Sequence, residues 1–203
     1  MNIMTPNPDP KTLDDLIGHA EHYAQFNLRY RGTLPASLFL LGSQGPTIYV
    51  PSSLADEAAK DAFAENARLL CVAHRATATV LAMEAWALLA APGTPIDPHQ
   101  RPSLSPDRRE VVALMGESPG VQRARFLPIL RDASQKFSGF DIPQVVNADQ
   151  AQGRFAQFLP AQTPTLAEQA HAQAILRARG IVTTAPPREK PKLRLVPRHR
   201  FRC

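Results

Sequence analysis

SLADEAAKDAFAENARLLCVAHRATATVLAMEAWALL, Ser53 to Leu89, is two segments of different character joined at Arg75. The first half reads as an amphipathic helix. Phe63, Ala67, Leu70, Cys71 and His74 recur at helical spacing, while Asp61, Glu65, Arg68 and Arg75 fall largely on the other side. Ser53 and Asp56 predict a capping box at its start, and Asp56 and Glu57 put negative charge where the helix dipole favours it. After Arg75 the chain is nearly uncharged, with Glu84 the one acid. Ala, Leu and Met would suit a helix there, but Thr77-Ala78-Thr79-Val80 is β-prone and the preceding helix needs a sheet to cover its apolar face. A strand from about Ala78 to Leu88 is therefore expected. The run is too short to span a membrane.

On the N-terminal side, residues 1–10 are Pro-interrupted and expected to be disordered. Thr12 and Asp15 predict a capped helix running to about Tyr30, with Leu13, Leu16, Ile17, Ala20 and Ala24 on its apolar face and Gly32 as its stop. Ser37–Leu41 and Thr47–Val50 flank Gly42-Ser43-Gln44-Gly45-Pro46, a hairpin with a five-residue connector.

On the C-terminal side, Ala91 to Pro106 is a Pro-rich loop, longer than ordinary connections. Arg109–Met115 predicts a strand, Pro119-Gly120 a turn, and Gln122–Leu130 another strand whose Pro128 calls for an edge position or a bulge. Ser134 to Asn147 is ambiguous, and Gly153–Pro160 reads as a short closing element. A last helix begins at the Thr165/Glu168 capping box and stops at Gly180. The sum is an α+β domain over residues 11–160, a single mostly antiparallel sheet with helices packed on it, followed by a C-terminal helix segment (161–184) and a disordered basic tail (185–203).

Charge divides unevenly. Residues 177–203 hold nine Lys/Arg and one Glu, a net +8, whereas residues 1–176 hold fourteen Lys/Arg and seventeen Asp/Glu, a net −3. The basic character belongs to the tail. Lys190, Lys192, Arg194, Arg198, Arg200 and Arg202 suit phosphate neutralisation, and His199 and Phe201 suit stacking on unpaired bases. The N-terminus shows no signal-peptide pattern, and the two cysteines, Cys71 and Cys203, are far apart. These point to a cytoplasmic protein without a structural disulfide and without membrane association.

Candidate chemistry centres on Glu84. A carboxylate in so apolar a segment needs a cationic partner or a raised pKa, and Arg109, Arg131 and Arg154 are the available cations; its bland alternatives are an outward-facing strand position or a structural ion pair. Glu84, Arg109 and Arg131 are the expected buried polar cluster. Ser105 to Glu110, with Glu117 and Arg131-Asp132, forms a second charged group that suits an anion or, more plainly, solvated ion pairs. His19/His22 and Cys71/His74 each supply two metal-ligand types three residues apart, short of the three or four that zinc needs, so no metal and no cofactor are expected. Nucleophile-elbow, P-loop and dinucleotide fingerprints are absent from the sequence.

KDAFAENAR (Lys60–Arg68), EAW (Glu84–Trp86), SPDRREVV (Ser105–Val112), Arg131-Asp132 and GRFAQFLP (Gly153–Pro160) occur in this order. In that order they resemble uncharacterised proteins of bacteriophages and other mobile elements of proteobacteria. The resemblance spans about half the chain and implies a phage or bacterial cytosolic setting. It assigns no activity and places no site. The expected function is a non-enzymatic accessory protein that contacts nucleic acid or a nucleoprotein complex through its tail. The alternatives are a protein-binding inhibitor or adaptor, such as an anti-defence factor, and an enzyme using Glu84 with the arginines.

Overall fold

The computed structural model describes residues 9–88, 102–147 and 154–181. The expected disorder of residues 1–8 and the basic tail lie outside these, as does most of the Pro-rich loop. Helix α1 spans Leu13–Arg31. Thr12 Oγ1 accepts from Asp15 N–H, Asp15 accepts in return from Thr12 N–H, and Gly32 closes the helix at φ 78°. Strands β1 (Ser37–Gly42) and β2 (Gly45–Tyr49) follow, then α2 (Glu57–His74) and β3 (Ala78–Ala87). Strands β4 (Arg109–Ser118), β5 (Val121–Arg131), β6 (Phe137–Phe140) and β7 (Gln144–Asn147) complete the sheet, and α3 (Leu166–Ala178) ends the described chain.

The fold is α+β. All strand pairs are antiparallel, in the order β2-β1-β3-β4-β5-β6, with β7 also on β5. Helix α1 buries Leu16, Ile17, Ala20, Ala24 and Leu28 on one face of the sheet, against Phe39, Val80, Ala82, Val112, Leu114 and Leu127. Helix α2 buries Phe63, Ala67, Leu70 and Cys71 on the other face, against Leu38, Leu40 and Leu81. Period-two alternation along β3 sorts these residues to the two faces. Gly116 on β4 is where α1 sits down, since a Cβ there would come within 3.0 Å of Leu13 Cδ1 and 3.1 Å of Ile17 Cδ1. Ala172 and Leu176 of α3 join the α2-side core, so α3 is part of the same packed body.

Several expectations need correction. Helix α2 is capped by Asp56, whose carboxylate accepts from Ala59 N–H at 2.7 Å, while Ser53 Oγ accepts from Ala55 N–H in the turn before it. The hairpin connector is two residues, Ser43-Gln44, because Gly42 pairs with Gly45 and Leu41 with Pro46. Proline is tolerated there because β2 is an edge strand. Pro128 is buried within β5, without the bulge falling on it. It lies where β5 changes outer partner, from β7 at Phe126 to β6 at Ile129, so its missing N–H interrupts no continuous ladder. The bulge falls instead between Leu130 and Arg131. The ambiguous stretch from Ser134 contains β6 and β7. Of the predicted closing element, the described residues 154–160 are irregular yet place Phe155, Phe158 and Leu159 in the α2-side core.

Candidate functional site

Glu84, Val112 and Leu127 lie side by side across β3, β4 and β5 on the α1 face, and Glu110 lies on that face one position toward the start of β4. Val112 and Leu127 of this row pack under α1, and beyond the end of that helix the chain turns at Gly32, which brings Leu34 to Glu84. The consequence is a half-buried polar cluster at one end of the sheet. Leu34 N–H donates to Glu84 Oε1. Arg131 Nε donates to Glu110 Oε2 at 2.8 Å and Nη2 to Oε1 at 2.5 Å, a two-pronged pair of the kind that fixes both partners. The Glu84 and Glu110 carboxyl groups are near enough to perturb each other.

Burial pushes the Glu84 carboxyl up; Leu34 N–H and Arg131 oppose that, and negative Glu110 adds to it. The hydrogen bonds from Arg131 hold the Glu110 carboxyl below its ordinary range. The two acids are thus set apart: Glu84 is the proton holder and Glu110 the ionised acceptor. Such a split is what a general acid and its partner base require, and also what a structural carboxyl pair uses to coexist.

The structure brings together two of the three expected members. Arg109 is a correction. Pairing with Ala87 puts it on the opposite face from Glu84, where it reaches Asp141 at 3.9 Å. Glu110 takes its place, being the neighbour that alternation turns inward. Arg154 is likewise elsewhere, bound to Glu57 at 2.6 Å and Asp61 at 2.8 Å on α2. The second charged group also divides. Glu117 stands at the far end of β4 from Glu110, about 24 Å along the strand, and Arg108 lies over the Trp86 ring at 4.7 Å. Among the described residues no group of three His, Cys, Asp or Glu could hold a metal. Cys71 is a free, buried thiol pushed up by burial and by negative Glu117. His19 packs edge-on to Phe39. Lys190, Lys192, Arg194, Arg198, Arg200 and Arg202 lie outside the described residues. No described helix is long and apolar enough to cross a membrane.

Missed from sequence is a cleft of about 910 Å³ at the opposite end of the sheet. The β1–β2 turn, the α2–β3 junction, the β4–β5 turn and residues 157–164 enclose it, with Arg75, Glu117 and Gln122 among its lining. The signal was a second acid, Glu117, beside a predicted Pro-Gly turn.

The pair at Glu84 makes a pH prediction. A carboxyl whose folded pKa is raised contributes stability that is full below its unfolded value, about 4.3, and is lost as pH rises through the folded value. Glu84→Gln keeps an oxygen for Leu34 N–H and gives Glu110 an N–H donor. Urea midpoints are therefore expected to match wild type near about pH 4, with the variant increasingly the more stable toward about pH 8. A gap that closes as pH rises would show that Glu84 is not the proton holder.

No family model matches the chain, and neither a curated protein nor a solved structure matches it, so the two ends of the sheet are to be understood from their own geometry.

Proposed function

We propose that the chain is an accessory binding protein that contacts nucleic acid, or a nucleoprotein complex, through residues 185–203, in the phage or mobile-element setting its resemblance implies. The observation behind this is the charge split: seven Lys/Arg and one Glu, +6, on residues 185–203 against sixteen Lys/Arg and seventeen Asp/Glu, −1, on the rest. The body supports it by keeping many of its acids occupied. Glu57 is paired with Lys60 and Arg154, Asp61 with Arg154, Glu65 with Arg179, Asp14 with Arg123, Glu21 with Arg125 and Glu110 with Arg131. Asp15, Asp56 and Glu168 are engaged in helix caps. Exposed pairs are individually weak, but a tail cation that displaced one would free another cation and gain nothing net. An outside polyanion offers the tail counterion release instead.

Fluorescence anisotropy of the full chain and of a 1–184 truncation on short DNA and RNA tests this. Binding that is steep in salt and lost on truncation is expected. Equal binding by both forms overturns the tail's role. Absence of binding at low salt overturns nucleic-acid contact altogether and leaves the inhibitor or adaptor reading, for which a stoichiometric protein partner is the expected finding.

A further inference from the structure

Three polar side chains stand in register across the sheet on the α2 face, at the end away from Glu84. Thr79 on β3 is opposite Glu117 on β4, and Glu117 is opposite Gln122 on β5. Residues directly opposite have Cβ atoms about 4.5–5.5 Å apart, so the three side chains are immediate neighbours. Thr79 is 1% exposed and Glu117 8%. Their polar atoms are under-satisfied. Thr79 Oγ1 and Gln122 Oε1 are buried with no hydrogen-bond partner. Glu117 accepts at Oε1 from Leu159 N–H at 2.5 Å, and no other described group donates to its carboxylate.

Buried oxygens without donors are rare enough in native proteins to need a cause. Here a cause is at hand, because Glu117 and Gln122 line two adjoining spaces. One is the cleft of about 910 Å³, open to solvent; the other is a recess of about 50 Å³ under Phe155, Ala156 and Phe158. Opposite the row, residues 154–159 are anchored by Phe155 and Phe158 against Phe63 and by Arg68 Nη2, which donates to the carbonyls of Arg154 and Ala156. The polar floor is thus part of a built wall.

We propose that this row binds a primary ammonium group, with the rest of its carrier lying in the open cleft. An ammonium supplies three N–H donors and one positive charge. The lining supplies a carboxylate oxygen from Glu117 and a neutral oxygen from Gln122, with Thr79 Oγ1 buried beside Glu117; the open cleft leaves water for the remaining N–H. A guanidinium, with five donors in a rigid plane, exceeds the acceptors present. A quaternary ammonium has the charge but no N–H. Arg75 on the cleft's rim is exposed, so water screens its repulsion, whereas Glu117 acts from a buried position.

The test titrates the full chain with n-butylammonium, putrescine and Nα-acetyl-lysine methylamide, following the backbone amide shift of Leu159. Tetramethylammonium is the comparison. Saturable shifts with the three primary amines and none with tetramethylammonium are expected. Preference for putrescine identifies a free polyamine as the source, and preference for the lysine derivative a peptide side chain. Glu117→Gln keeps an oxygen for Leu159 N–H and is expected to weaken binding about tenfold or more, since a charged acceptor is replaced by a neutral one. Gln122→Leu is expected to weaken it less. Should Glu117→Gln not fold, Gln122→Leu and the tetramethylammonium comparison decide. Equal response to tetramethylammonium, unchanged affinity in the variants, or no saturation by any amine overturns the proposal and assigns the orphan oxygens to ordered water.

Discussion

Phe63→Ala is expected to lower the free energy of unfolding by about 3–5 kcal/mol, the range for truncating a buried aromatic. Phe63 is 1% exposed and meets three aromatic rings from two separate parts of the chain. Tyr49 of β2 stacks on it at 5.8 Å and 10°, Phe155 meets it edge-on at 5.7 Å, and Phe158 at 6.3 Å. Its removal leaves a cavity that neither the sheet nor the irregular segment 154–160 can fill by a rotamer change, and it loses aromatic contacts beyond the buried area. Against a typical total of about 5–15 kcal/mol, this is a large share. Urea unfolding would show a lower midpoint at an unchanged slope. Phe63→Leu, which retains most of the volume, is expected to cost less than half as much. A loss under about 1 kcal/mol for alanine would mean the segment packs independently of α2. The consequence reaches the cleft, because Leu159 N–H, the donor to Glu117, is held in place by that segment.

Much of this architecture is legible in the chain itself, for local reasons. Thr12/Asp15 and Thr165/Glu168 are capping boxes whose partners are three residues apart, so the information is contained in four residues. The strand at Ala78 depended on β-branched residues outweighing Ala and Leu, and on the need of α2 for a covering surface. What was not legible is register. Whether Glu84 meets Arg109 or Glu110 depends on which face each occupies, and a one-residue slip exchanges the two. Residues Ser105 to Glu110 and Glu117 look like neighbours in a list of charges, but an extended strand carries them to opposite ends of the sheet. Likewise the Thr79–Glu117–Gln122 row exists only once three strands are aligned. The strands β6 and β7 were hidden because each is four residues long and the pairing of β6 is interrupted by a bulge, so alternation has too few positions to show; in β6, Phe137 and Phe140 pack on the α1-side core.

The salt dependence of nucleic-acid binding is the other large effect. Lys190, Lys192, Arg194, Arg198, Arg200 and Arg202 are six cations. If each neutralises one phosphate, log K is expected to fall with log salt at a slope of about −5 on duplex and about −4 on single strands. Between about 50 and 200 mM salt that is a loss of roughly a thousandfold on duplex and a few hundredfold on single strands. Residues 1–184 hold sixteen Lys/Arg and seventeen Asp/Glu, a net −1, and add no attraction, so 1–184 is expected to show a slope near zero. Replacing Lys190 and Lys192 with alanine should reduce the slope by about 2 on duplex. Stacking separates from charge in the same experiment. Phe201→Ala is expected to weaken single-strand binding by about 1–3 kcal/mol while leaving the slope unchanged, because it removes a π-face and no cation. A slope insensitive to the lysine pair would place the phosphate contacts elsewhere in the chain. A slope that follows the lysines, with affinity that also follows Phe201, would identify the tail as a reader of unpaired bases, presented by a body many of whose acids are already paired.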